Sequence, residues 1–180
     1  MNPKIIFTSL LLLVLTACNP GIFESPGQII DNPIITPTPG LDSNASREVE
    51  ARSALVDFYA ALNQGAYPLA AELYGGSYEV LQGYNPGIDP GENASLWEAG
   101  CKFNGLMCLK VLDSALIQTD DSHGFIYEVV FANPDGSQFV LGPCCGATED
   151  EMPPVSVFNV HVTCEQDSPC LVLDLPPYVP

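Results

Sequence analysis

Apolar residues change their spacing once along this chain, near Cys108, and that change constrains the fold more than any other feature. Ahead of it they recur at helical intervals; beyond it they alternate, as in strands buried on one face. The first helix is expected to open with Ser46 as N-cap and Glu48 and Glu50 in its first turn, where the helix dipole favours anions. Val49, Val56, Tyr59 and Asn63, flanked by Leu55, Phe58 and Leu62, keep its period until Gly65 ends it. A short second helix follows Tyr67-Pro68 and carries Leu69, Ala70, Leu73 and Tyr74 up to Gly75-Gly76. Residues 83–93, GYNPGIDPGEN, have the Gly and Pro content of a loop, and Asn93 or Ala94 starts a further helix through Leu96 and Trp97 towards Cys101.

After Cys108, Leu109 to Thr119 reads as a strand, and Phe125, Tyr127, Val129 and Phe131 form one face of the next. Asn133-Pro134-Asp135-Gly136 is a tight turn into a strand over Ser137 to Leu141. Phe158, Val160 and Val162 mark another strand, and Leu171, Leu173 and Leu175 the last, which Pro176 and Pro177 prevent from extending. Helices followed by an antiparallel meander make an α+β domain, and residues 46–180 are enough for one domain with a real core.

At the N-terminus, Lys4 precedes an apolar run from Ile5 to Leu15 that is too short to cross about 30 Å of hydrocarbon. It reads as an export signal over residues 1–17, with small residues before the cleavage point. The segment Leu15-Thr16-Ala17-Cys18 resembles the bacterial lipobox. That resemblance implies a diacylglyceryl thioether on Cys18, which becomes the first mature residue and attaches the protein to the extracytoplasmic side of an envelope membrane. Residues 18–45 then form a proline-rich tether, with five prolines and no helical or strand period.

Of seven cysteines, lipidation of Cys18 leaves six: Cys101, Cys108, Cys144, Cys145, Cys164 and Cys170. An even number in an exported domain points to three disulfides. Cys164 and Cys170 flank a turn-rich run between two strands, and their closure across a hairpin end is the best single pairing. Cys101 and Cys108 are about 10 Å apart on an unbroken helix, too far to bond, unless Asn104-Gly105 breaks it. The adjacent Cys144 and Cys145 point opposite ways if extended, which suggests separate partners, with Cys101 and Cys108 as candidates.

Removing the signal takes away one cation and no acid, so the formal charge moves from −17 to −18, with four basic residues against twenty-two acidic ones. Such a balance opposes nucleic-acid binding, which depends on clustered Lys and Arg. Asp120-Asp121 lacks the spacing of a calcium loop, no C-x-x-C occurs, and His123 and His161 stand alone, so neither a metal nor a redox cofactor is expected.

The run Val56-Asp57-Phe58-Tyr59-Ala60-Ala61-Leu62-Asn63-Gln64-Gly65-Ala66-Tyr67, followed by Ala70-Ala71-Glu72-Leu73-Tyr74, resembles the opening of nuclear transport factor 2-like domains. The resemblance implies a cone, with a curved antiparallel sheet wrapped around the helices. Relatives with this fold include isomerases, dehydratases, small-molecule binders and non-catalytic protein modules, so the fold leaves function open. Tyr59, Tyr74 and Tyr127 are the candidates to face such a pocket, although large amphipathic residues on apolar faces read first as core, with the hydroxyl reaching a rim partner. Asp57 and His161 are expected to face water, and no acid–base motif aligns. The expected function is therefore a lipid-anchored, non-catalytic domain that binds a small molecule or a protein. The alternatives are an isomerase or dehydratase working in the cone, and an accessory or inhibitory module of an envelope complex.

Overall fold

The first helix, α1, spans Ser43–Gln64 and turns one stripe inward: Ala51, Ala54, Leu55, Phe58, Tyr59 and Leu62 recur at intervals of three and four and are buried. A computed structural model describes residues 43–119, 124–142, 148–152 and 154–178, all within one compact unit, Pro39–Pro180. Residues 1–42, with the export signal, Cys18 and most of the tether, lie outside the described residues, as do Asp120, Asp121, His123, Cys144 and Cys145.

The start of α1 differs from the expected Ser46 cap. Helical backbone continues upstream through Ser43-Asn44-Ala45, so Ser46 lies inside the helix with its hydroxyl 3.5 Å from Glu50, and Glu48 and Glu50 fall beyond the first turn. Val49 and Val56 face water, at 70% and 40% exposure, because the stripe is centred on Leu55 and Phe58, one position away from theirs. The C-terminus closes as expected. Gly65 takes φ +74°, its N–H donates to Leu62, and the N–H of Ala66 reaches back to the carbonyl of Ala61, the paired bonds of a Schellman cap.

Helix α2 covers Tyr67–Glu72, with Pro68 in the first turn, where a missing N–H costs nothing. Tyr74, past its end, leaves the helix and forms a parallel bridge to Val172, held by bonds from Gly75 to Val172 and from Val172 to Leu73. A helix absent from the sequence reading, α3, spans Glu79–Tyr84 and overlaps the start of the expected loop. Helix α4 runs Asn93–Phe103 and buries Leu96, Trp97, Ala99 and Gly100. It stops at Asn104, where Gly105 takes φ +80° and turns the chain back.

That reversal brings Cys101 and Cys108 together in a disulfide with Cα atoms 5.6 Å apart. Pairing of either with Cys144 or Cys145 is thereby overturned: the break in the helix removes the separation that an unbroken one would impose. Cys164 and Cys170 are bonded as expected, with Cα atoms 4.2 Å apart.

Among the described residues, four strands form one antiparallel sheet in the order β1 (Lys110–Thr119), β2 (Gly124–Ala132), β3 (Phe158–Thr163), β4 (Leu171–Val172). Register shifts between Val111 and Asp113 and between Leu116 and Gln118 interrupt the β1–β2 ladder, and such irregularities bend and twist a strand. On β2, Phe125, Tyr127, Val129 and Phe131 are all buried, as their alternation requires. The turn at Asn133–Gly136 forms, with Gly136 donating to Asn133, but Ser137 to Leu141 is not a strand. The Ala132–Gln138 bridge, with bonds from Asn133 to Ser137 and from Phe139 to Phe131, continues the ladder briefly. In the last strand Val172 is fully buried and Leu173 is 37% exposed, the reverse of the expected face. The reason is the parallel bridge to Tyr74, which fixes Val172 against the helices.

Both ends of α1 are tied to a disulfide-closed segment. Near its start, Arg47 donates to the carbonyls of Glu165 and Ser168, inside the Cys164–Cys170 loop. At its end, Asn63 donates to the carbonyl of Cys108 at 2.9 Å. Between them, Arg52 reaches the hydroxyl and carbonyl of Ser114, one of two buried polar residues among those described, the other being Ser156.

Candidate functional site

The space between helices and sheet is occupied by side chains. Tyr59 is fully buried and packs edge-on against Phe131 of β2, with ring centroids 4.7 Å apart. Phe58, one residue earlier, meets Tyr74 and Trp97. Tyr127 is buried too, and its hydroxyl donates to the carbonyl of Glu48 at 3.0 Å. Tyr74 donates to the carbonyl of Ser77 at 3.1 Å. The three tyrosines read as pocket candidates are therefore core residues, and two of them, Tyr74 and Tyr127, reach backbone carbonyls with their hydroxyls.

Their electrostatics follow from burial. Desolvation pushes the Tyr74 phenol up to about 12, helped by the neighbouring Tyr78 and Asp174. Tyr127 is also pushed up to about 12, first by burial and then by Glu48, with Arg52 opposing. Tyr59 is raised further, by burial, Asp174 and Tyr74, and its hydroxyl has no hydrogen-bond partner. All three stay neutral at physiological pH.

An acid–base mechanism in this interior would need a buried carboxylate or imidazole beside a donor. Among the described residues the buried polar side chains are the two serines, Ser114 and Ser156. Asp57 is exposed and accepts from Ser53, in keeping with its expected place on the helix flank. His161 is exposed as well; its Nδ1 lies 2.7 Å from Asp174, which also accepts the His161 backbone N–H. That pair sits on the outer face of β3. No group of three or more metal-ligating side chains occurs among the described residues, and none of their helices is long and apolar enough to cross a membrane.

The open concavity lies outside the sheet, between α3, α4 and the loop joining them. It encloses about 610 Å³, within the range of small-molecule sites, and Tyr78, Glu79, Gln82, Pro86, Pro90 and Leu96 supply much of its wall. The loop is held rather than loose. Gln82 donates its amide to the carbonyls of Ile88 (2.7 Å) and Asn85 (3.3 Å), while Asn85 donates to Leu81 and accepts from Asn104. Gly83 also lines the groove, and a side chain built there would meet nothing within 4 Å.

The groove is coupled to the core through one bond. Trp97, buried on α4, donates its indole N–H to the hydroxyl of Tyr78 at 3.0 Å, and the Tyr74, Tyr78 and Trp97 rings pack edge to face. Burial raises the Tyr78 phenol pKa, and the indole bond partly offsets this. On the other side of α3 is a smaller cavity of about 150 Å³, walled by Val80, Leu106, Leu175 and Pro176 and by Tyr84 stacked on Tyr178.

Comparison with protein-family models, curated proteins and solved structures found no match. Sequence reasoning missed Tyr78, Glu79 and Gln82 because they lie at the start of, or on, a helix that its short apolar pattern did not reveal. The signal that marks them is the proximity of Tyr78 and Trp97 to an eleven-residue Gly- and Pro-rich loop.

Proposed function

We propose that this chain is a lipid-anchored envelope protein whose domain binds a small molecule in the groove beside α3, without catalysing a reaction. The observation that carries the reading is the contrast between a filled interior and an open groove of about 610 Å³ with a fixed loop for one wall. Preorganised walls favour binding, because little ordering is left to oppose it. The fold is proposed to be of the nuclear transport factor 2-like kind, supported by the order of helices before an antiparallel meander and by the register shifts of β1. Anchoring at Cys18, after removal of residues 1–17, rests on the lipobox resemblance and the proline-rich tether.

Two experiments test the two parts. Cys18→Ala should move the protein from the membrane fraction to the soluble fraction, and unchanged membrane association overturns the anchor. For the groove, a small-molecule screen on the full-length protein in non-ionic detergent can be read through Trp97, the single tryptophan. Gly83→Phe should abolish the emission changes that ligands cause while leaving the fold intact, since Gly83 lines the groove and a Cβ there meets nothing within 4 Å. Ligand responses that persist in Gly83→Phe overturn the groove as the site.

A further inference from the structure

We propose that the groove takes an organic cation, an ammonium or amidinium group carried on an apolar or aromatic body; the inference rests on the groove being the binding site. Among the polar side chains of its wall, Tyr78, Glu79, Gln82 and Asn93, the remaining acceptors outnumber the remaining donors, and the one charge is negative. Glu79 contributes a carboxylate that forms no ion pair with a Lys or Arg among the described residues: Arg47 pairs with Glu50, Lys102 with Glu98, Arg52 bonds Ser114, and Lys110 stands at the start of β1. Gln82 has committed its amide N–H groups to the carbonyls of Ile88 and Asn85, which leaves its carbonyl oxygen as the end free to receive a donor.

The apolar part of the wall, Pro86, Pro90 and Leu96, suits a hydrocarbon body. Tyr78 adds an aromatic ring, and such rings attract cations over their faces. Asp89 and Glu92 lie on the loop itself, and the whole chain carries a formal charge of −17. An anionic ligand would meet repulsion at the wall and in the surrounding field, whereas a cation is drawn in by both.

The test uses three probes of similar size: benzylammonium, benzyl alcohol and phenylacetate. Each is titrated into the full-length protein in non-ionic detergent and followed by Trp97 emission and by calorimetry. Benzylammonium should bind saturably and more tightly than the other two, and added salt should weaken it. Glu79→Gln should weaken it by about fivefold, the size of one partly solvated charge contact. Glu79→Ala serves as a second variant, with circular dichroism as the check on folding for both.

Equal or tighter binding of benzyl alcohol or phenylacetate overturns the cation proposal and leaves the groove reading standing. So does undiminished affinity in both folded Glu79 variants. If no probe of any charge binds, or if Gly83→Phe leaves the binding unchanged, the groove reading falls and the proposal falls with it.

Discussion

The indole N–H of Trp97 donates to the hydroxyl of Tyr78 across 3.0 Å, which joins a fully buried ring to the wall of the groove. Removing the acceptor leaves a buried donor unpaired, and that costs more than the bond itself contributes. Tyr78→Phe should lower unfolding stability by about 1–3 kcal/mol and change the emission of Trp97. Denaturant titration checks the first and fluorescence the second; unchanged stability would show that the indole finds another acceptor.

Tyr59 presents the opposite case. Its hydroxyl is buried without a partner, so Tyr59→Phe removes a desolvated group and should leave stability unchanged or raise it by about 1 kcal/mol. Tyr127→Phe, which deletes the bond to Glu48, should instead cost about 1 kcal/mol. Parallel denaturation of the two variants checks the ordering, and a larger loss for Tyr59→Phe would reveal a hidden partner.

The disulfides should survive mapping as two local pairs. Peptide analysis of the non-reduced protein is expected to recover Cys101 joined to Cys108 and Cys164 joined to Cys170. Closing loops of six or seven residues restricts the unfolded chain modestly, so each Cys→Ser pair should cost about 2 kcal/mol. Recovery of Cys101 or Cys108 bonded to Cys144 or Cys145 would contradict the turn at Gly105.

Stability should decline in alkali. Tyr74 and Tyr127 keep their protons up to about 12 in the folded state, while in the unfolded chain they ionise near 10. Above that lower value the folded state holds more protons, so stability falls with rising pH. The contribution is complete below about pH 10 and is lost as pH rises through the folded values. Phenolate absorbance against pH, compared with unfolding followed by circular dichroism, checks this. Ionisation of all seven tyrosines before any unfolding would refute it.

Much of the architecture was legible where side chains repeat over several turns or strand pairs. Leu55, Phe58, Tyr59 and Leu62 revealed α1, and the Phe125–Phe131 alternation revealed β2 with its inward face. Short elements were not legible. Helix α3 has six residues, includes Gly83 and buries only Leu81, so it carries too little pattern to separate it from the loop that follows. In β4 the inward residue is set by the bridge between Val172 and Tyr74, a long-range contact that no local alternation encodes. The candidate site suffered on both counts. Tyr59, Tyr74 and Tyr127 were visible because they are large, yet size drew them into the core, while the groove depends on how Gln82 holds a loop whose conformation is set by tertiary bonds.

Arg47 grips the Cys164–Cys170 loop near the point where the chain enters the domain. A pull on the chain ahead of Ser43 therefore loads the contacts with Glu165 and Ser168 before it reaches the aromatic interior. From there the force passes through a covalently closed loop into β3 and β4, at the far side of the sheet from β1. The arrangement works as the strain relief on a cable does. Part of a pull on α1 is thereby shared with a covalently closed loop, through exposed contacts that can re-form after they break.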